Sequence, residues 1–173
     1  LNAADPVRQP KQGIEDSVAK HIDQTLKGGH NKGNPELVKH LCEGAYPAVQ
    51  WLESLGVKFK DEVGTATGAL WQRSHYTVTP SGNSYIRVFE KYIAEHPNIK
   101  VITDIEAKDI IRDADGRVTG VLAKSNKTHR YTLVKAEKGV IVATGGFGAN
   151  VKLRQEVNTG VFKDYDLGPK IGC

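Results

Sequence analysis

Three stretches hold residue types able to do chemistry. Residues 138–150 read KGVIVATGGFGAN, in which the β-branched run Val140, Ile141 and Val142 ends in Ala143, Thr144 and two glycines. Small residues at a strand end bring bare backbone to the carboxyl edge of a sheet, where open α/β sheets bind ligands. Glycine allows unusual φ and the close approach of a flat or phosphorylated group. The same residues would equally serve a tight strand-to-helix turn with no ligand. The second stretch, WQRSHYTVTPSGN at 71–83, holds Arg73 and His75. An acid or base counts as catalytic only when it reaches a substrate, and polar loop residues are mostly solvated, so no catalytic residue is assigned. The third feature is negative. Cys42 and Cys173 form no CxxC, and the six histidines have no metal-ligand spacing, which argues against a zinc site. The phosphate-cradling fingerprint G-x-G-x-x-G is also missing: GGFGAN lacks its spacing and GTATG follows no strand.

The elements that must position these residues follow from period and punctuation. GIEDSVAKHIDQTLKGG repeats Val18, Ile22 and Leu26 at helical spacing, with Asp16 or Ser17 to cap it and Gly28 to end it. In NPELVKHLCEGAYPAVQWLESLG, Asn34 is placed as N-cap and Pro35 at the first helical position. Pro47 predicts a kink or a split, and Gly56 a left-handed cap. Residues 57–83 read as a long loop, the kind that tends to be functional. A third amphipathic helix carries Tyr85, Ile86, Phe89 and Ile93 and stops at Pro97. The period then changes. IKVITD reads as a short strand, and AKDIIRD, RVTGVLAKS and HRYTLVKA as a three-stranded antiparallel meander, with a hairpin at Asp115-Gly116. The continuous run in KGVIVATGG predicts a strand buried on both faces, as in a parallel sheet. The fold class is therefore α/β, or α+β in the chain by itself.

Bulk properties narrow the functions. The chain has 173 residues, enough for one domain with a core. No run of 18 apolar residues exists, which excludes a membrane-spanning helix. The net charge of +4 is spread along the chain, and its densest patch, KSNKTHRYTLVKAEK at 124–138, interleaves one aromatic, Tyr131. That is a solvated hairpin rather than a nucleic-acid face. Cys42, among Val38, Leu41 and Ala45, reads as a small core residue. The chain opens on Leu1, contains no Met and ends in LGPKIGC, so an internal piece of a longer protein is expected. The compartment is left open.

In order along the chain, LNAA, TLKGGHNKGNPELVK, WLESLGVKF, RSHYTVTPSGNSYI, DADGRVTGV and VIVATGGFGAN resemble the flavoprotein of the fumarate reductase and succinate dehydrogenase superfamily. The nearest branch is that of the soluble flavocytochrome c-type fumarate reductases and the urocanate reductases. The resemblance spans nearly the whole chain and implies part of a Rossmann-like FAD-binding domain. Over residues 1–173, the implied piece has its N-terminal dinucleotide fingerprint and its downstream substrate cap missing. The cofactor it implies is FAD. Asn2, Ala3 and Ala4 match the tail of a glycine-rich loop that wraps FAD, Ala107 matches a backbone contact to the adenine, and Ala143, Thr144 and Gly145 match the turn closing over the cofactor. The parent enzyme would reduce an activated C=C bond of a small unsaturated dicarboxylate, with an arginine beyond this chain protonating one carbon. The chain alone would be inactive and would need the remainder of the flavoprotein as partner.

Two other readings compete. One is a different FAD enzyme of the same fold, such as a steroid dehydrogenase or aspartate oxidase relative. The other is a free-standing α/β binding or interaction module without redox activity. A sheet lacking its first βαβ unit exposes an unpaired edge, which predicts self-association or marginal stability. Light scattering at high concentration checks this, and a monodisperse monomer would contradict it.

Overall fold

The computed structural model describes residues 1–79 and 82–157. The chain divides into two units, Leu1–Val101 and Ile102–Cys173. The first contains α1 (Arg8–Lys11), α2 (Val18–Gly28), α3 (Pro35–Ser54), β1 (Phe59–Gly64), β2 (Ser74–Thr77) and α4 (Asn83–Ala94).

Local chemistry sets the helix ends. The Ser17 side chain accepts from Lys20 N and starts α2. Asn34 Oδ1 accepts from Glu36 N and Leu37 N at the head of α3, with Pro35 in the first turn. Helix α3 runs unbroken through Pro47, where the sequence predicts a kink or split. Its buried face of Cys42, Ala45, Val49 and Leu52 holds it to the core, and tertiary packing of such a face outweighs the hydrogen bond that proline removes. At its end Gly56 takes φ +107, Gly56 N donates to Glu53 O, and Val57 N donates to Leu52 O. Those two bonds form a Schellman cap, and Leu52 and Val57 are both buried beside it.

The core of this unit is Ala3, Ala45, Val49, Leu52, Val57 and Phe59, with Tyr46, Tyr85, Val88 and Phe89 packed against it. Cys42 is buried, as its neighbours predict. The stretch read as a long loop contains a hairpin instead. Strands β1 and β2 pair antiparallel, Phe59 with Thr77 and Val63 with His75, with a bulge between. Hydroxyls and glycines masked its short alternation. The N-terminal segment lies along β2 through an Asn2–Ser74 bridge, with Ala3 N donating to Arg73 O and His75 N to Leu1 O.

The second unit is the expected meander, β3 (Ile105–Arg112), β4 (Val118–Ser125) and β5 (Tyr131–Lys135), in the order β3-β4-β5 and antiparallel throughout. Asp113 Oδ1 accepts from Asp115 N and Arg117 N, and Gly116 sits at φ +80, so the Asp-Gly turn forms where it is predicted. A short helix, α5 (Val151–Val157), follows. Two expected strands are absent. IKVITD is irregular, and residues 138–146 are irregular and, apart from half-buried Val140, exposed, with Ile141 93% accessible. The reason is common to both: a strand exists only with a neighbour to hydrogen-bond, and no described strand lies beside either. The buried parallel strand of the sequence reading is therefore corrected. Cys173 lies outside the described residues.

Gly120 in β4 has no room for a side chain, since a Cβ there would stand 2.5 Å from Val134 O on β5. Gly120→Ala is expected to destabilise the meander by about 1–3 kcal/mol. Urea unfolding of the variant checks this, and an unchanged midpoint would show that the strands separate freely.

Candidate functional site

The polar groups that the sequence marked out meet in the interior of the first unit. Asp5, 1% exposed, follows directly on Asn2, Ala3 and Ala4. Its Oδ1 accepts from Val7 N at 2.7 Å and Arg8 N at 2.8 Å, and its Oδ2 accepts from Arg8 Nη1 at 3.0 Å. His75 Nε2 stands 2.9 Å from the same Oδ2. Asp5 N donates to Gln9 Oε1, and Gln9 Nε2 donates to Asp16 Oδ2 and to Gln72 O. Arg73 closes the network with two parallel bonds to Asp16, Nε to Oδ2 at 2.8 Å and Nη2 to Oδ1 at 2.6 Å, and one to Gln24 Oε1. Arg8 also pairs with Glu53 near the end of α3.

Electrostatics follow from these contacts. Burial pushes the Asp5 carboxyl up, but the bonds from Arg8 N, His75, Val7 N and the Arg8 guanidinium together hold it below the usual carboxylate range. Asp16 is likewise pushed up by burial and pulled further down by Arg73, Gln9 and Ser17 N. His21 is lowered by burial and then by the Arg73 charge. Arg73 and His75 are thus buried and engaged by Asp16 and Asp5 of the same unit rather than solvated. The loop expectation fails because β2 is the inner strand between β1 and the N-terminal segment, which turns these side chains into the interior.

The predicted contact residues fall into two groups. Asn2 is exposed, and its Oδ1 accepts from Ser74 Oγ. Ala3 and Ala4 are buried, and Ala3 N is committed to Arg73 O, so what this segment offers a ligand is its backbone and the Asn2 amide. Ala107 lies on β3, an edge strand, beside a bulge between Ala107 and Asp109. Its outer backbone row has no strand partner among the described residues. Ala143, Thr144 and Gly145 are exposed in the second unit, and Gly145 has φ +75 with open space where a Cβ would be. There a left-handed backbone favours glycine with or without a ligand. Among the described residues no cluster of His, Cys, Asp and Glu fits a metal ion, and no helix is long and apolar enough to cross a membrane. Sequence reasoning missed Asp5 and Asp16, because nothing local signals a partner 70 or 57 residues away.

Helices and antiparallel strands that present small residues and open backbone define a cofactor-domain module rather than a self-contained catalytic centre. Residues 3–171 match the family model described as FAD binding domain, and the chain belongs to that family. A urocanate reductase of Eggerthella lenta is 36% identical over 87% of this chain and 25% of its own length. An NADH:fumarate oxidoreductase of Klebsiella pneumoniae is 33% identical over 91% of this chain and 17% of its own. Among solved structures, the open conformation of a flavocytochrome c3 fumarate reductase superposes with a TM-score of 0.79 at 28% identity, over 95% of this chain and 28% of that one. The chain therefore spans about a quarter or less of the curated relatives named here. The family and fold expected from the sequence are borne out.

Both carboxyls titrate lower in the folded chain than in the unfolded one, so the unfolded state takes up protons first as pH falls. Their stabilisation is complete above about pH 4 and is lost as the pH drops through the folded values. His21, also lowered, adds a shallower decline that begins near pH 6.5 by the same sign. Urea midpoints measured against pH are expected to show both limbs, and Asp16→Asn to flatten the acid one. Arg73→Ala strands the buried Asp16 charge and is expected to cost about 3–5 kcal/mol. A wild-type acid limb in Asp16→Asn, or a neutral Arg73→Ala, would contradict the role given to the pair.

Proposed function

We propose that this chain is part of a FAD-dependent oxidoreductase that reduces the activated C=C bond of an unsaturated carboxylic acid. The observation that carries this reading is the family match over residues 3–171, together with relatives named for urocanate, fumarate and acrylate. When bound, FAD supplies hydride chemistry, and the protein's part is to bind and orient it. The residues present fit such a group. In the first unit Asn2 contributes an exposed amide; in the second, Ala107 contributes the outer backbone of an edge strand, and Ala143, Thr144 and Gly145 an accessible irregular segment without bulky side chains. None of these five stretches a large side chain toward a flat ligand, and each leaves backbone N–H or C=O groups to approach it. Ala3 and Ala4, which follow Asn2 in the chain, are buried in the first unit.

Proton transfer is assigned elsewhere in the parent. Arg73 and His75, the residues here best suited to it by type, are locked to Asp16 and Asp5. The remainder of the flavoprotein is also the partner expected to cover the second unit's exposed apolar residues, among them Leu133, Val134, Ile141 and Val142.

The test uses the full-length flavoprotein. It is expected to purify with flavin absorbance, to bleach with a chemical reductant, and to be reoxidised by one of fumarate, urocanate or acrylate. A flavin-free protein, or reduced flavin that none of the three acids reoxidises, would overturn the proposal. The 173-residue chain dialysed against excess FAD is expected to stay colourless, because it carries no phosphate-cradling fingerprint. Retained flavin bands would instead make it a preformed half-site.

A further inference from the structure

A buried hydroxyl sits where β2 meets the N-terminal segment, and both of its bonds are specific. Ser74 is 2% exposed. Its Oγ accepts from Ala66 N at 3.1 Å and donates to Asn2 Oδ1 at 2.6 Å. A hydroxyl carries one proton, and 2.6 Å is the length of an O–H···O bond rather than of an N–H···O bond. The proton therefore goes to Asn2, and the end of the amide that faces Ser74 is its oxygen. The backbone keeps the two residues opposite each other: the Asn2–Ser74 bridge is flanked by the bonds from Ala3 N to Arg73 O and from His75 N to Leu1 O.

The consequence is a fixed polarity. A carboxamide has one acceptor end and one donor end. With its oxygen committed inward, exposed Asn2 keeps its NH₂ group, which has no partner among the described residues. Gln24 repeats the arrangement. Its Oε1 accepts from Arg73 Nη1, and a guanidinium only donates, so the amide nitrogen is again the end left over. Asn2 and Gln24 both line a cavity of about 360 Å³ between α2 and the loop before β2. Resting on the flavin reading above, we propose that Ser74 is a positioning residue: its hydroxyl holds the Asn2 amide oxygen-inward, so that Asn2 Nδ2 donates to FAD. The polarity suits that ligand, whose ring carbonyls, ring nitrogens and phosphate oxygens are acceptors. An amide without this tether would turn either end outward, and ordering it on binding would cost affinity. Ser74 need not touch FAD to act in this way.

The experiment strips the full-length flavoprotein of flavin and titrates it with FAD, read by flavin fluorescence. The urea midpoint of each stripped variant reports the fold. Ser74→Ala and Asn2→Ala are each expected to weaken FAD about tenfold. The double variant is expected to lose no more than Asn2→Ala alone, because Ser74 acts only through Asn2. A Ser74 that merely supports the fold would multiply the two losses instead. Asn2→Asp keeps an oxygen for Ser74 but has no outward donor, and is expected to weaken FAD at least about tenfold with its urea midpoint unchanged. Ser74→Thr keeps the hydroxyl and is expected to bind FAD like the wild type. Asn2→Asp, at an exposed position, decides the polarity even where Ser74→Ala does not fold. Wild-type affinity in Ser74→Ala or Asn2→Asp, multiplied losses in the double variant, or a loss in Ser74→Thr equal to that in Ser74→Ala would overturn the proposal and leave the flavin reading standing. A wild-type flavoprotein that binds no FAD would overturn both.

Discussion

The first unit depends on a buried charge that must be neutralised. Asp5 has its carboxylate inside the protein, and burial of an isolated charge is prohibitive. It is tolerated because four donors converge on it: two backbone N–H groups, the Arg8 guanidinium and His75. Meeting that demand fixes the chain. Residues 1–3 must run along β2 for Asp5 to reach His75, and α1 must start at Arg8 for its N–H to point back. Gln9 passes the network on to Asp16, and Asp16 holds Arg73. The segment Asn2 to Ala4, proposed above to meet the cofactor, is thereby anchored from both sides.

The second unit is held differently. Its three strands pair along their length, with bulges between β3 and β4, yet only Gly120 and Ala123 are buried among its described residues. A sheet with neither face covered has backbone hydrogen bonds but little hydrophobic stabilisation. The same openness leaves the outer row of β3 and the irregular segment 143–145 accessible. What would weaken a free-standing domain suits a module whose ligand and neighbouring segments supply the missing layer.

Much of the local architecture was legible in the sequence because its causes are local. Ser17, Asn34 and Pro35 start helices, Gly56 ends one, and Asp115-Gly116 turns a hairpin, each through bonds spanning a few residues. The ordered motifs also carried the family, since their spacing is set by one fold. Legibility ended where a residue's state depends on a distant partner. Val140–Val142 has every intrinsic preference for a strand, but a strand is a relation between two segments, and none is described beside it. Residues 57–83 looked like loop because the partner of β1 is β2, across a run of glycines and hydroxyls.

Arg73 and His75 show the division most sharply. The sequence by itself determined their chemical type, their place in one short segment, and the backbone preferences around them. Only the tertiary structure decided that they are buried and paired with Asp16 and Asp5. The physical reason is range. Propensity and capping act over one turn of helix or one hairpin, whereas burial, charge compensation and the geometry of a cleft are properties of segments that meet only when the chain is folded.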